Sequence, residues 1–236
     1  MITRHHEDLW TLRLPLSMAG IAMGARSTIA RLPDGGLVVI SPGPFQDEHV
    51  DAIRGLGVVR ALVAPNKFHH LFLGPAARAF PDAQVLLAPG LRKRIPSLPP
   101  GEDLGDDAPA LWSGTLDHAI VAGSAAGEVV FHHRPSRTLI LTDLAFNLTG
   151  GGPWTRLAMT LNGGFGRLTT TRLMRSTIRD PDAFARSLHA MKRWDFDRIV
   201  VAHGDVVESN ARPAFERAFA PWLDRLPSAS VSSAGA

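Results

Sequence analysis

Ala61 to Ala88 reads ALVAPNKFHHLFLGPAARAFPDAQVLLA. An apolar run ends at Pro65, two adjacent histidines follow, and a second apolar run starts at Gln84 after Pro81-Asp82. The first run reaches back to Val58, is interrupted only by Arg60 and is bounded by Gly57. That is the pattern of a parallel strand buried on both faces. Between the runs, Leu71, Leu73, Ala77 and Phe80 predict a helix over 70–80, its start delayed by Gly74 and Pro75. Strand, helix and strand make one unit with a right-handed crossover. His69 and His70 then lie past the carboxyl end of a buried strand, where α/β proteins gather their chemistry.

On the N-terminal side, Trp10, Leu12, Leu14 and Leu16 alternate with Thr11, Arg13 and Pro15, as in a half-buried strand. Residues 27–32 and 37–40 flank Pro33-Asp34-Gly35-Gly36, a hairpin signal, and a helix is expected over 47–56. On the C-terminal side, residues 89–113 are rich in Pro, Gly and Asp and read as a surface excursion. Strands are expected over 119–121, 128–133 and 138–142, the last two joined by Arg134-Pro135-Ser136-Arg137. A helical insertion covers about 153–177. Asp180-Pro181 is an N-cap followed by Pro at the first helical position, and that helix runs to Arg193 with Phe184, Leu188 and Met191 on one stripe. A strand over 198–202 ends at His203-Gly204-Asp205, and a last helix spans 213–223. Strands followed by a helix occur twice, which suits two sheets in one domain. The domain is expected over 1–226 and a disordered Ser/Ala-rich tail over 227–236.

The chain has 236 residues, 45% of them apolar, enough for one sizeable core. With no cysteine, disulfides, thiolate metal sites and cysteine nucleophiles are excluded, so a metal would need imidazole, carboxylate or water. Net charge is +3, and the basic residues are scattered, the densest cluster being Arg92-Lys93-Arg94. No nucleic-acid binding is expected. Met1 to Asp8 is polar, unlike a secretory signal, and no apolar run is long enough to span a membrane, so a soluble cytoplasmic protein is the expectation.

Four candidate ligands sit at the ends of apolar runs: His69, His70, Asp143 and His203. His132 and His133 alternate onto opposite faces of a strand, so joint chelation is not expected. His118 is read as structural, and His5-His6 as surface residues. Glu128 begins an apolar strand, where a buried carboxylate needs a partner; a structural role is favoured. Ser124 and Thr142 belong to no recognisable His-Asp set, which argues against a serine hydrolase.

These stretches resemble the metallo-β-lactamase superfamily. Residues 61–88 resemble its strand, metal-binding loop (H-x-H-x-D-H), helix and strand. Leu139 to Phe146, LILTDLAF, resembles the strand ending in the metal-bridging Asp, and Ile199 to Asp205, IVVAHGD, the strand ending in the last ligand His. The resemblance covers roughly residues 9–225 and is closest to an uncharacterised branch whose loop begins Pro-Asn and contains a His pair. It implies an αββα four-layer sandwich with its site along one edge of the sheets. If His70 matches the final His of the loop, His69 stands for the Asp, and Pro65 and Lys67 stand where two His belong; the register one residue away, which puts Asn66 and Phe68 there, fits less well. Ala122-Gly123-Ser124 lacks the family's next His. The first metal position is thus emptied, and His69, His70, Asp143 and His203 would form the second.

The resemblance implies a hydrolase with a single divalent metal, zinc above all, or iron or manganese if coordination expands. Asp143 would serve it directly and Lys67 would stabilise a developing oxyanion, acting on a small-molecule substrate. Alternatively, Lys67 fills the vacated position with its own charge, which predicts a salt bridge to Asp143 and a non-catalytic binding protein without metal. A diiron redox role would need both positions. Neither substrate nor oligomeric state is legible.

Overall fold

A computed structural model describes residues 1–225; the expected tail over 227–236 lies outside the described residues. The strands are β1 (Ile2–His6), β2 (Leu9–Leu14), β3 (Ser17–Met18), β4 (Ile21–Ala22), β5 (Ala25–Arg31), β6 (Leu37–Ile40), β7 (Val59–Ala64), β8 (Gln84–Leu87), β9 (Glu102–Asp103), β10 (Leu116–Ile120), β11 (Val129–His133), β12 (Thr138–Ile140) and β13 (Arg198–Val200). One sheet has the order β1-β2-β5-β6-β7-β8-β9, a second β10-β11-β12-β13, and β3-β4 forms a separate hairpin. The helices are α1 (Asp47–Arg54), α2 (Leu73–Ala79), α3 (Leu91–Arg94), α4 (Pro153–Leu161), α5 (Arg172–Arg175), α6 (Pro181–Lys192) and α7 (Ala211–Leu223).

The pleat of β7 shows why its run is apolar throughout. Ala61 and Val63 face the second sheet, in one cluster with Val129, Phe131, Ile140 and Val200. Leu62 and Ala64 face outward onto Val50 and Ile53 of α1 and Leu73 and Ala76 of α2. Side chains alternate between faces along a strand, so burying both faces requires an unbroken apolar run. Beyond the second sheet, Leu139 and Ile199 pack under Phe184 and Leu188 of α6 and Phe215 and Phe219 of α7. Helices, sheet, sheet and helices make the four layers of the αββα sandwich. β7 pairs in parallel with β6 and β8, and β12 with β13.

Two regions differ from expectation. The polar N-terminus is an edge strand: β1 pairs antiparallel with β2, and His5 Nε2 lies 2.9 Å from Thr11 Oγ1. Thr11 is therefore buried rather than on a solvated face. The 89–113 excursion contributes α3, the short parallel strand β9 and the core residues Leu91, Leu104 and Trp112. Gly101 allows the approach of β9: a Cβ there would lie 2.3 Å from the Val85 carbonyl. The capped helix appears as read, with Asp180 Oδ1 accepting from the amides of Asp182 and Ala183. Among the described residues, no helix is long and apolar enough to cross a membrane.

Candidate metal site

The loops after β7, β12 and β13 converge. They bring His69, Asp143 and His203 together, each offering a ligand atom, all within 4.8 Å of one another. His69 Nε2 lies 3.2 Å from Asp143 Oδ2, and His203 Nε2 lies 3.5 Å from Asp143 Oδ1. The two imidazole rings are 5.2 Å apart at their centroids. Phe146 stacks on the His203 ring at 4.9 Å.

Each of these three side chains is fixed from behind. His203 Nδ1 donates to the Gly24 carbonyl at 2.7 Å, which selects the tautomer with the Nε2 lone pair facing Asp143. His69 Nδ1 lies 2.6 Å from Ser41 Oγ. Ser41 holds a left-handed backbone (φ 58°), rare for a residue with a side chain. Gly204, next to His203, has φ 100°, and a Cβ there would stand 2.1 Å from the Asn147 carbonyl oxygen. Only glycine lets the chain turn there without collision. The buried guanidinium of Arg26 on β5 donates to the carbonyls of Val201 and Gly204, clamping the His203 loop onto the first sheet.

Asp143 is positioned by a fully buried network. Glu128 accepts from three successive amides, Thr142 at 2.7 Å, Asp143 at 2.9 Å and Leu144 at 2.8 Å. Asn66, with no exposed surface, donates to Asp143 Oδ2 at 2.8 Å and Thr142 Oγ1 at 2.9 Å. Burial would raise the Asp143 carboxyl, but the adjoining His69 and His203 overcome this and hold it far below the ordinary carboxylate range. Burial lowers the His69 imidazole; Asp143 and then Glu128 outweigh that and leave it raised. Burial and the neighbouring Asp143 charge push Glu128 up to about 7, against the pull of its Thr142 donors.

Two imidazole Nε2 atoms and one carboxylate, with both far imidazole nitrogens held by protein oxygens, form a donor set that fits a divalent transition metal. Three protein ligands leave a fourth position for water or substrate. The site opens onto a cavity of about 300 Å³. Its walls are largely apolar, with Ile21 and Met23 near β4, Phe146, and Met159 and Leu173 from the 153–177 segment.

Of the residues singled out in the sequence, His69, Asp143 and His203 meet. His70 lies outside that group, and its Nδ1 is buried without a hydrogen-bond partner. Lys67 does not form the predicted salt bridge: its Nζ donates to the Ala125 carbonyl at 2.7 Å, and among the described residues Asp143 pairs with the two histidines. The physical reason is that Asn66, one residue earlier, turns inward and takes the place beside Asp143, sending Lys67 outward to the 124–127 turn. The partner that a buried Glu128 needs is the Asp143 loop. Asn66, Ser41 and Arg26 were missed as site residues. The signal for Asn66 was the polar residue directly after a buried strand, and for Ser41 the break Ser41-Pro42-Gly43-Pro44.

The family model for a domain of unknown function (DUF4336) matches residues 6–155. No curated protein sequence matches the chain significantly. Among solved structures, a metallo-beta-lactamase from Pontibacter korlensis shares 13% identity over 94% of this chain and 98% of its own, with a TM-score of 0.67. The metallo-beta-lactamase FIM-1 from Pseudomonas aeruginosa, in a mono-zinc form, shares 13% over 92% and 95%, with a TM-score of 0.63. The Flv1 flavodiiron core from Synechocystis shares 13% over 95% of this chain and 60% of its own, with a TM-score of 0.65. At such identities the likeness establishes the metallo-β-lactamase fold.

Proposed function

The chain belongs to the family of the domain of unknown function DUF4336, and on that premise we propose that it is a metal-dependent hydrolase holding one divalent metal, zinc foremost, on His69, Asp143 and His203. The observation that carries this reading is the convergence of both Nε2 atoms on Asp143, with each Nδ1 held by an oxygen of Ser41 or Gly24. The mono-zinc form of the Pseudomonas neighbour is an example of one zinc on this fold.

When bound, such a metal supplies Lewis acidity toward a carbonyl or phosphoryl oxygen and lowers the pKa of water. The chain's own residues supply the rest. Gly24 keeps the His203 lone pair aimed inward, and Ser41 does the same for His69 when its hydroxyl accepts from Nδ1. Asn66 and Glu128 hold Asp143 and its loop in place. The apolar walls of the cavity limit water around a bound substrate. His70 and Lys67 have no part in this assignment.

One observation favours a second reading, a non-catalytic binding protein. Asp143 Oδ2 already receives Asn66 at 2.8 Å and faces His69 Nε2 at 3.2 Å, so the cluster satisfies itself as a hydrogen-bonded ion pair. Metal analysis of untagged protein separates the two. The hydrolase reading expects about one equivalent in wild type and in His70→Ala, loss in Asp143→Ala and His203→Ala, and a lower melting temperature of wild type on chelation. Sub-stoichiometric metal and a melting temperature indifferent to chelator would overturn it in favour of the binding protein.

A further inference from the structure

The cavity above His69, Asp143 and His203 has a polar floor and apolar walls. Its about 300 Å³ sits at the lower end of small-molecule sites, ~300–1,000 Å³. Away from the floor the lining offers neither lysine nor arginine, and its polar wall groups are the uncharged Asn162 and Thr171. Its mouth is apolar as well. Met18, Phe68, Leu71 and Leu173 all line the cavity, yet they are 55%, 48%, 62% and 62% exposed. A soluble protein exposes single large apolar side chains without consequence, but a contiguous group of them around a cavity marks a ligand surface.

The rim extends onto α4. Trp154, Leu157 and Leu161, spaced by three and four residues, share one helix stripe and are each more than half exposed. Gly20, at the tip of the β3-β4 hairpin, packs against the indole of Trp154: a Cβ there would lie 3.4 Å from Nε1. Apolar surface therefore runs from the polar floor, through the cavity, to the outside.

We propose that the cavity takes a neutral carbonyl compound with an extended apolar body, an acyl ester or lactone of medium chain length, with the carbonyl at the floor and the chain leaving between Leu71 and Leu173. The assignment of an ester to be cleaved rests on the hydrolase reading; the assignment of the apolar body rests on the cavity alone. A charged substituent on that body would be buried without a partner.

Binding of unreactive methyl ketones, from butanone to decanone, tests the body separately from any turnover. Calorimetry on the protein as purified should show affinity rising by about three- to fourfold per added methylene, the factor for burying one CH₂. The keto acid of the same length as hexanone should bind at least about tenfold more weakly than hexanone. Leu173→Glu and Met18→Glu, at exposed rim positions where the fold tolerates charge, should retain the wild-type melting temperature and flatten the chain-length gradient. Affinity independent of chain length, a keto acid bound as well as its ketone, or an unchanged gradient in both well-folded variants would overturn the proposal. Metal content is measured on the same samples. A gradient without metal supports the apolar site and removes the hydrolase; metal without a gradient does the reverse.

Discussion

The side-chain amide of Asn66 donates to Asp143 Oδ2 at 2.8 Å, while its own oxygen accepts from the backbone amides of Phe68 and His69, both at 2.8 Å. One buried residue thus joins the loop that carries His69 to the loop that carries Asp143. Asn66→Leu conserves volume but strands two backbone donors and removes one of the two partners of Asp143 Oδ2, leaving it His69 alone. An unmatched buried polar group costs about 1–3 kcal/mol, so a loss of about 2–4 kcal/mol in urea unfolding is expected. Asn66→Asp keeps the acceptor but turns a donor into a third carboxylate beside Glu128 and Asp143. Its new carboxyl is raised by those neighbours, so this variant should fall further behind wild type as pH rises above about 4, the value of an unfolded Asp. An Asn66→Leu midpoint within about 0.5 kcal/mol of wild type would show that the bridge is dispensable.

Ser41 combines two features that can be separated. Its backbone is left-handed, and its hydroxyl meets His69 Nδ1 at 2.6 Å. Ser41→Ala removes the hydroxyl and keeps the strain; Ser41→Gly removes both. The glycine variant should therefore be the more stable of the two by about 1 kcal/mol. If Ser41 orients His69 for a metal, both variants should lose affinity alike, by about 10–100-fold. Equal stabilities would argue that the backbone there carries no strain.

Much of the architecture is legible from the chain itself. The doubly buried run at Val59–Ala64, the capped helix after Asp180 and the hairpins around Gly35 and Pro135 each declare themselves through local rules. Other parts are fixed by partners distant in sequence. β1 carries two histidines and an arginine, and only its pairing with β2 makes it a strand. β9 has two acidic residues and rests on β8. The same division runs through the site. His69, Asp143 and His203 end apolar runs, so they could be found. Where Asn66 and Lys67 point depends on a short loop whose course is set by the Ala125 carbonyl and the Asp143 loop, both far along the chain. Arg26 lies on an ordinary strand, and nothing near it in sequence reveals that it clamps the carbonyls beside His203.

Gly204 provides the most severe steric test of the site. Its φ of 100° is unfavourable for any side chain, and a methyl group would meet the Asn147 carbonyl at 2.1 Å. That contact is with backbone, which cannot swing aside as a side-chain tip can. Asn147 is also tied to the turn through its own amide, which bonds the His203 carbonyl at 3.0 Å. Gly204→Ala should cost about 2–4 kcal/mol and shift His203 away from Asp143. Near-wild-type stability in a chemical denaturation curve would contradict so tight a turn.

His133 sets an acid limit on stability away from the site. It is fully buried on β11, its Nε2 has no hydrogen-bond partner, and burial, followed by the neighbouring His6 and His132, pulls its pKa down to about 3. In the unfolded chain the imidazole returns to about 6.5. Between these values the unfolded chain binds a proton that the folded protein refuses, so stability falls as pH drops from about 6.5 toward 3. The contribution to the slope is up to one proton, about 1.4 kcal/mol per pH unit. His133→Gln, which cannot take up that proton, should reduce the slope of unfolding free energy against pH by nearly that amount over this window. Its stability above pH ~7 should change only by a pH-independent offset. Parallel curves for the variant and wild type through the acid range would show that His133 is protonated in the folded protein after all.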